Sequence, residues 1–308
     1  MVKRVKSLEA AVPRQYWLAG NPVDAPPLPP GLYLVATPIG NLRDITLRAL
    51  EILAAADVVA CEDTRVTHKL LDHYGVKTSL TPYHDHNAVQ ARPGLIERIR
   101  GGESVALVSD AGTPLISDPG YKLVGAAQEA GIPVTTAPGA SSVLAALAIA
   151  GLPTDRFHFE GFLPPKSAAR RSRIAEIARL PETLVLFETG PRLAASLADL
   201  ADGLGSREAA VCREITKLYE EARRSDLATL AADYASAPEP RGEIVIVIGP
   251  PEMVDHPSAD ELDQLLRAAL GRVSVKDAVA EVASSTGMPR GEVYRRALAL
   301  KDADGPAH

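Results

Sequence analysis

Small, acidic and hydroxyl-bearing residues are concentrated in the stretch "SDAGTPLISDPG" at residues 109–120, directly after the apolar run "SVALV". An apolar run of this length is typical of a buried strand. Gly112 lets the backbone approach a ligand closely, Pro114 fixes a turn, and the N–H groups of such a turn can hold a carboxylate. Asp110 offers an acceptor to an amine or a hydroxyl group. The stretch therefore predicts a binding loop, in which Asp118 alone has a sufficient structural role, as the N-cap of the next helix.

Two further polar loops follow strand-like segments. "CEDTR" at 61–65 ends an apolar run, and helix capping explains one of its residues but not the whole group. "YHDHN" at 83–87 places His84 and His86 at the spacing of a metal pair, but no third ligand stands at motif spacing and the chain has no C-x-x-C pair. We therefore predict no metal site. Polar contacts with a substrate are favoured for this loop, with a solvated turn as the alternative.

The charge distribution limits the partners of the protein. The chain of 308 residues carries a net charge of −6, which argues against a protein that coats nucleic acid. Two segments are nevertheless basic: "KSAARRSR" at 166–173 has four cations and no acid, and "PRGEVYRRALALK" at 289–301 has four cations and one Glu. Such charges suit contacts with phosphate groups. For the first segment, the solvated face of a helix is the alternative.

Cysteine usage and hydropathy indicate a cytoplasmic protein. Cys61 and Cys212 lie inside apolar stretches, so we expect both to be buried and reduced. No apolar run reaches the roughly 18 residues of a membrane-spanning helix. The basic N-terminal stretch 1–20 has no continuous apolar core of the kind that directs export.

The order of the segments predicts the fold class. Strand-like and helix-like segments alternate in the first half, which is typical of a mostly parallel sheet covered by helices. Such sheets bind ligands beyond the carboxyl ends of their strands, where the polar loops stand. The loop "ATPIGN" at 36–41 is another of these, and it lacks the G-x-G-x-x-G pattern of dinucleotide sites; an ordinary turn is its alternative. In the second half, the strands at 209–216 and 217–225 follow each other almost directly, which predicts an antiparallel pair in a mixed sheet.

We therefore predict an α/β fold with an added helical unit. Its parts are a Pro-rich N-terminal tail or linker at 1–30, a mostly parallel domain at 31–151, a mixed-sheet domain at 152–250, and a helical unit at 258–303. In the helical unit, two apolar helix faces flank the turn "SSTGMP", as in a helix-turn-helix, with a plain helical hairpin as the alternative. The last predicted helix of this unit contains the apolar residues Val293, Ala297, Leu298 and Leu300.

Several stretches taken together resemble one family. They are "GLYLVATPIGNLRDITLRALEIL", "ADVVACEDTRVTHKLL", "YHDHN", "VALVSDAGTPLISDPG", "PGASS", "EGFLPPK" and "GEIVIVI". They are similar to the ribosomal RNA small subunit methyltransferase I family, of the tetrapyrrole (corrin/porphyrin) methylase superfamily, and the tail from residue 273 resembles that family's C-terminal helix-turn-helix. The resemblance implies a two-domain fold with S-adenosylmethionine in the cleft between the domains, a homodimer, and 2′-O-methylation of a cytidine in the 16S rRNA of the 30S ribosomal subunit.

The resemblance also implies which residues contact each partner. Those implied for the cofactor are Pro38, Ser109, Asp110, Ala111, Gly112, Thr113, Pro114, Ser141, Ser142, Glu188 and Gly242. Those implied for RNA are Arg65, His86, Lys166, Arg170 and Arg171. The residue types suit these roles, because a methionine carboxylate and amine need N–H donors and an acid, and adenine needs a close approach of the backbone.

The implied reaction is the in-line attack of a ribose 2′-oxygen on a sulfonium methyl group. It needs alignment of the two reactants and one proton acceptor. Asp63, Glu62 and His84 are the candidates for that acceptor, and no spacing singles one out. Alternatively, Lys166 lowers the pKa of the hydroxyl group by its charge alone. Two other functions stay open: methylation of a tetrapyrrole or similar small molecule, and a non-enzymatic regulator that senses a ligand and binds nucleic acid through its helical tail.

Overall fold

A computed structural model describes residues 14–117, 120–251 and 257–303 of the chain. The chain divides into two compact units between residues 249 and 250. In the described ranges the first unit contains two five-stranded sheets and a two-stranded hairpin, and the second contains helices. The predicted fold class is therefore confirmed. No helix in these ranges is both long and apolar enough to cross a membrane.

An antiparallel hairpin occupies part of the segment that was expected to be a tail or linker. Its strands are β1 (Gln15–Leu18) and β2 (Asn21–Asp24). Tyr16 is only 3% exposed and packs in the apolar cluster on one face of the first sheet. Burial of this aromatic ring attaches the hairpin to the first unit. Residues 14–30 are thus part of the folded unit, and residues 1–13 of the predicted tail lie outside the described ranges.

The first sheet is parallel throughout, as the alternating pattern predicts. Its strands are β3 (Gly31–Val35), β4 (Val58–Cys61), β5 (Leu80–Pro82), β6 (Ser104–Leu107) and β7 (Val134–Ala137). They lie in the order β5-β4-β6-β3-β7. The helices that follow them are α1 (Leu47–Ala55), α2 (Thr64–His73), α3 (Ala88–Arg100), α4 (Tyr121–Glu129) and α5 (Ser142–Ala150). Helices on both faces explain why the central strands β4, β6 and β3 are almost entirely buried.

Local signals fix where the helices begin. The Thr46 hydroxyl accepts the Ala49 N–H at 3.1 Å and caps α1. The carboxylate of Asp63 accepts the Arg65 N–H at 2.8 Å and caps α2. Helix α4 has Gly120 at its N-cap position. The cap predicted for that helix, Asp118, lies outside the described residues.

The second sheet is mixed. Its strands are β8 (Phe157–Phe162), β9 (Thr183–Thr189), β10 (Glu208–Arg213), β11 (Glu221–Asp226) and β12 (Glu243–Ile248), in the order β11-β10-β12-β9-β8. Only β8 and β9 pair in parallel, and the predicted antiparallel pairing of β10 with β11 is confirmed. Its helices are α6 (Ser167–Ile177), α7 (Gly190–Leu204) and α8 (Leu227–Ser236).

Helix α5 connects the two sheets. It follows β7 of the first sheet in the chain, but its buried residues Ala146 and Leu147 pack with Cys212, Val245 and Val247 of the second sheet. Burial of this apolar helix fixes the direction of its axis, so its N-terminus stays at the carboxyl edge of the first sheet. The helix therefore holds the two sheets together at the place where the polar loops gather.

The second unit is a three-helix cluster. Its helices are α9 (Ala259–Leu270), α10 (Val275–Thr286) and α11 (Arg290–Ala303). Its core contains Leu262, Leu266, Ala269, Ala278, Val279, Val282, Val293, Ala297 and Leu300. Gly287, at a φ of +67°, ends α10 and starts the turn into α11. Leu298, an apolar residue of the same helix, lies outside this core and is 38% exposed.

Candidate active site

The predicted polar loops meet at one edge of the first sheet, because its strands run parallel and all end there. Following the strand order, this edge carries the loops 83–87, 61–65, 108–117, 36–41 and 138–142. Thr37 and Gly112 exchange backbone hydrogen bonds of 2.9 and 3.0 Å, and the N–H of Asp63 donates to Oδ1 of Asp110 at 3.0 Å. The loops thus form one connected surface.

A pocket lies between this edge and the second sheet. Its cavity volume, without the open mouth, is about 260 Å³. That is close to the lower end of the range of roughly 300–1,000 Å³ typical of small-molecule sites. We call it the cleft pocket; its wall consists of Ile39, Ala111, Gly112, Thr113, Ile116, Ser117, Ser141, Ser142, Val143, Phe162, Phe187, Glu188, Thr189, Gly242, Glu243, Ile244 and Val245. The residues from the sequence-based cofactor set in this wall are Ala111, Gly112, Thr113, Ser141, Ser142, Glu188 and Gly242.

One end of the cleft pocket is suited to an anion. Ser141, Ser142 and Val143 form the start of α5 and line the pocket. The first N–H groups of a helix have no partner inside the helix, and the helix dipole adds partial positive charge there. The N–H of Gly112, in contrast, is already bonded to the Thr37 carbonyl. The anion-binding donors are therefore better assigned to α5 than to the glycine itself.

The side chain of Glu188 is held beneath the pocket wall. Its carboxylate accepts the Thr189 N–H at 2.8 Å and the Ser196 hydroxyl at 2.5 Å, and it pairs with the Arg192 guanidinium at 3.2 Å. The residue is 3% exposed. A carboxylate with this set of partners fixes the end of β9 and the start of α7.

The opposite wall requires a glycine at position 242. Gly242 has a φ of +97°, and a Cβ atom there would overlap the carboxylate of Glu214. That carboxylate accepts Lys217 Nζ at 2.8 Å and the Glu243 N–H at 3.0 Å. The bond from Lys217 is the main reason that the pKa of Glu214 lies below its usual value. Glu214 itself has a φ of +51°, so the wall is built on backbone that few side chains tolerate.

Four residues from the predicted cofactor set lie behind the pocket wall rather than in it: Pro38, Ser109, Asp110 and Pro114. The Ser109 hydroxyl donates to the carbonyls of Ala111 and Gly112 at 3.2 and 3.3 Å, so it shapes the loop. The carboxylate of Asp110 is directed to the N–H of Asp63. This loop therefore joins the pocket to the neighbouring "CEDTR" turn.

Acidic side chains crowd together beside the pocket. We call Glu62, Asp63, Asp85 and Asp110, together with His84, the acidic cluster. Burial, followed by the charges of Asp110 and Asp85, raises the pKa of Glu62 above its usual value, while His84 acts in the opposite direction. A carboxylate with a raised pKa is a better proton acceptor when it is ionised.

Asp63 directly follows Glu62 in the sequence, but its pKa is shifted in the opposite direction. Hydrogen bonds from the side chain and the backbone N–H of Arg65 lower the pKa of Asp63 to about 2. The guanidinium approaches this carboxylate to 2.6 Å, and the same carboxylate caps α2. Its lone pairs are thus used for structure, and its basicity is low.

Two buried polar atoms in the acidic cluster's loop lack hydrogen-bond partners within the described residues, Oη of Tyr83 and Nδ1 of His84. Tyr83 is 1% exposed, so its hydroxyl is removed from bulk solvent. A buried polar atom without a partner costs free energy, and native proteins satisfy most of them. The loop 83–87 therefore has two polar atoms available for hydrogen bonds with a polar ligand or with water.

Comparison with known families matches residues 31–231 to the tetrapyrrole (corrin/porphyrin) methylases and residues 256–301 to the RsmI C-terminal HTH domain. The chain belongs to the tetrapyrrole methylase family. The resemblance seen in the sequence motifs is confirmed by two curated relatives, both named ribosomal RNA small subunit methyltransferase I. The relative from Mesorhizobium japonicum is 53% identical over 92% of this chain and 96% of its own. The relative from Pseudomonas aeruginosa is 45% identical over 87% of this chain and 96% of its own.

Solved structures of the tetrapyrrole methylase fold resemble the chain more distantly. The methyltransferase CobJ has a TM-score of 0.54 at 17% identity, covering 71% of this chain and 94% of its own. The uroporphyrin-III C-methyltransferase of Thermus thermophilus, complexed with S-adenyl homocysteine, has a TM-score of 0.50 at 23% identity, covering 71% of this chain and 97% of its own. At these identities the likeness supports the fold.

Among the basic residues that the family resemblance implied for RNA, Arg170 is in a different environment from the others. It is 5% exposed, and its guanidinium lies 2.6 Å from the Asp199 carboxylate. A buried pair of this kind holds α6 against α7, so the structure favours a structural role for Arg170 over contact with RNA. Lys166 and His86 are exposed, and so are Arg65 and Arg171, whose side chains are 86% and 64% accessible.

The second sheet supplies the pocket residues that sequence reasoning missed. Phe162 and Phe187 pack edge to face at 5.5 Å, and Ile244 and Val245 continue the apolar wall. In the sequence they belong to ordinary strand patterns, and burial in a core explains such residues equally well. Only the position of Phe162 at the end of β8, next to "LPPK", was a usable signal. No group of His, Cys, Asp or Glu in the described residues is arranged to hold a metal ion.

Proposed function

We propose that the protein transfers a methyl group from S-adenosylmethionine to the ribose 2′-oxygen of a cytidine in 16S rRNA. The identity to relatives named ribosomal RNA small subunit methyltransferase I supports the substrate class. The single structural observation that carries the proposal is the connection between a small-molecule pocket and an acidic cluster, made by the Asp110 carboxylate and the Asp63 N–H. This connection supports a proton acceptor beside the proposed donor site.

The residues of the cleft pocket fit S-adenosylmethionine. The start of α5 offers N–H donors to its carboxylate, and Gly242 lets the backbone of the opposite wall pass close to the Glu214 carboxylate, where a Cβ atom would not fit. Phe162, Phe187 and Ile244 offer apolar surface to the rest of the molecule. When bound, the sulfonium supplies an electrophilic methyl group.

In the transfer step, a bond forms between the 2′-oxygen and the methyl carbon while the carbon–sulfur bond breaks and its electron pair stays on sulfur. The hydroxyl proton needs an acceptor, and we assign Glu62. It has a raised pKa, whereas Asp63 is held by Arg65 with a pKa of about 2. A positioned general base contributes roughly 10²–10⁴ in rate. Nδ1 of His84 and Oη of Tyr83 are left to bind the nucleotide or water.

The exposed cations form the proposed RNA side. Arg65 is held in place by Asp63 at the rim of the acidic cluster, and Lys166 and Arg171 lie at the start of α6. These donors suit phosphate groups, which position an RNA without reading its sequence. We further propose that the assembled 30S subunit is the substrate and that the enzyme acts in the cytoplasm.

A homodimer is part of the proposal. Phe157 on the edge strand β8 is 42% exposed, and a large exposed apolar side chain at a sheet edge favours pairing with a second copy. Sedimentation velocity at micromolar concentration should give the mass of two chains. A monomer at these concentrations would contradict this part of the proposal.

The activity is tested with methyl-labelled S-adenosylmethionine offered in parallel with free 16S rRNA, unmodified 30S subunits and a uroporphyrinogen. We expect label in the rRNA, and mass spectrometry of the digested RNA should identify 2′-O-methylcytidine. Transfer to the tetrapyrrole alone would support a small-molecule methylase. Absence of transfer to any substrate, with duplex DNA bound tightly, would support a regulator.

A further inference from the structure

The outer face of α11 carries an exposed stripe that the core of the second unit does not use. Residues 290, 294, 298 and 301 lie on one side of the helix, because successive residues turn by about 100°. Tyr294 is 47% exposed and Leu298 is 38% exposed. The other side of the helix is fixed by Val293, Ala297 and Leu300 in the core. The stripe is therefore presented on a rigid support.

Cations surround this stripe. Arg290 and Lys301 make no ion pair within the described residues, and Arg295 bonds only the Gly291 carbonyl of its own helix, at 3.4 Å. The remaining cation of the helix, Arg296, faces away and is held by Asp263 of α9 at 2.5 and 2.7 Å. Arg290 and Lys301 thus share one face with the exposed ring of Tyr294, and Arg295 lies beside that face.

The start of α11 is also open. A Cβ atom placed on Gly291 would meet nothing within 4 Å, so no other described group covers the first turn. Gly287 and the short turn before Arg290 separate α10 from α11, so α11 is the second helix of a helix-turn-helix pair. In that arrangement the first residues of the second helix are the ones presented to a nucleic acid.

We infer that this face, with Arg290, Tyr294 and Lys301 on it and Arg295 beside it, binds single-stranded rRNA, with the tyrosine stacked on an unpaired base and the cations on phosphates. The inference rests on the proposed function for the class of partner. An A-form duplex is a poor fit, because its major groove is too narrow for side chains to read, whereas unpaired bases stack readily on aromatic rings. The surrounding positive charge favours RNA over a second copy of the chain.

The test uses the full-length protein and a fluorescent single-stranded 16S rRNA fragment. Tyr294→Ala should weaken binding about 5- to 150-fold, the range for removal of one base stack, while Tyr294→Phe should bind like the unchanged protein. Arg290→Gln with Arg295→Gln should lower the slope of log affinity against log salt by about 0.7 for each phosphate that is no longer bound. The single-charge control is Arg272→Gln, in the α9–α10 turn and paired with Glu281, which should change neither quantity.

Other results would overturn the inference. These are unchanged RNA affinity of both α11 variants, tighter binding of duplex DNA than of single-stranded RNA by the unchanged protein, or a change in sedimentation of Tyr294→Ala without a change in RNA binding. Thermal unfolding of each variant distinguishes weaker RNA binding by a folded protein from loss of the fold. Affinity for S-adenosylmethionine and transfer to 30S subunits, measured alongside, report separately on the proposed function, so the two proposals can fail independently.

Discussion

The cleft pocket and the acidic cluster share the loop after β6, yet they are built in opposite ways. In the pocket, the charged groups have partners: Glu188 bonds Thr189, Ser196 and Arg192, and Glu214 bonds Lys217. In the acidic cluster, carboxylates face one another, and a buried tyrosine hydroxyl has no partner within the described residues. The charged groups of the pocket therefore have partners without a ligand, whereas a buried polar group beside the acidic cluster has none within the described residues.

This difference indicates a division of labour. A satisfied, rigid pocket binds its ligand without rearranging, which reduces the cost of association. A group of like charges raises the pKa of one member, and such perturbed groups are concentrated where proton transfer occurs. We therefore expect changes in the pocket to alter cofactor affinity and changes in the acidic cluster to alter rate.

The largest effect is expected for Glu62→Gln. The amide cannot take the proton of the 2′-hydroxyl group, so the single-turnover rate should fall by about 10²–10⁴, the usual contribution of a general base. Affinity for S-adenosylmethionine should stay unchanged, because Glu62 is not in the pocket wall. Rapid-quench methyl transfer and calorimetric titration measure the two quantities.

Asp63→Asn is the matched control for Glu62→Gln. It removes a charge from the adjacent residue, but asparagine also caps helices, and the carboxylate is not the assigned acceptor. We expect a smaller loss of rate. A larger loss in Asp63→Asn than in Glu62→Gln would reverse the assignment within the acidic cluster.

Gly242→Ala should damage the pocket instead. The added Cβ would overlap the carboxylate of Glu214, at a φ of +97°. Strain and displacement of order 1–3 kcal/mol correspond to an affinity for S-adenosylmethionine that is about 5- to 150-fold weaker. Gly102→Ala provides a close control, since its φ is +99° but a Cβ there meets nothing within 4 Å. If both variants lose affinity equally, backbone strain and not the pocket shape is responsible.

The pH dependence of the rate should move with the charge of Asp110. Glu62 must be ionised to accept a proton, so the rate falls as pH falls through its raised pKa, which burial, Asp110, Asp85 and Asp63 increase and His84 decreases. Asp110→Asn keeps an oxygen for the Asp63 N–H but removes one of these charges. The acid limb of the single-turnover pH profile should therefore shift to lower pH. An unshifted limb would mean that another group titrates.

Sequence reasoning predicted several of the loops that line the cleft pocket, because small and polar residues at strand ends leave a local signature. Gly112 and Gly242 have positive φ angles, a conformation that favours glycine, and a glycine in a polar loop is visible in the sequence. The position of Asp110 was not readable, since whether a loop acid points to the pocket or to the neighbouring turn depends on the strand order β4-β6-β3. Burial of Arg170 depended in the same way on its partner Asp199, which is 29 residues away in the chain.

The smallest expected effect concerns stability, and it has opposite signs for the two adjacent acids. A carboxylate whose pKa is raised by folding favours the native state below its unfolded pKa and loses that contribution as pH rises, so at neutral pH Glu62 lowers stability. Glu62→Gln should then raise Tm by about 1–3 °C. Asp63, with its pKa lowered to about 2, stabilises the fold above pH 3.8 and loses this contribution as pH falls, so Asp63→Ala should lower Tm at neutral pH. Calorimetry at pH 7 measures both shifts; a Tm that falls in Glu62→Gln would indicate that Glu62 holds the fold together, and the acidic cluster would then resemble the pocket.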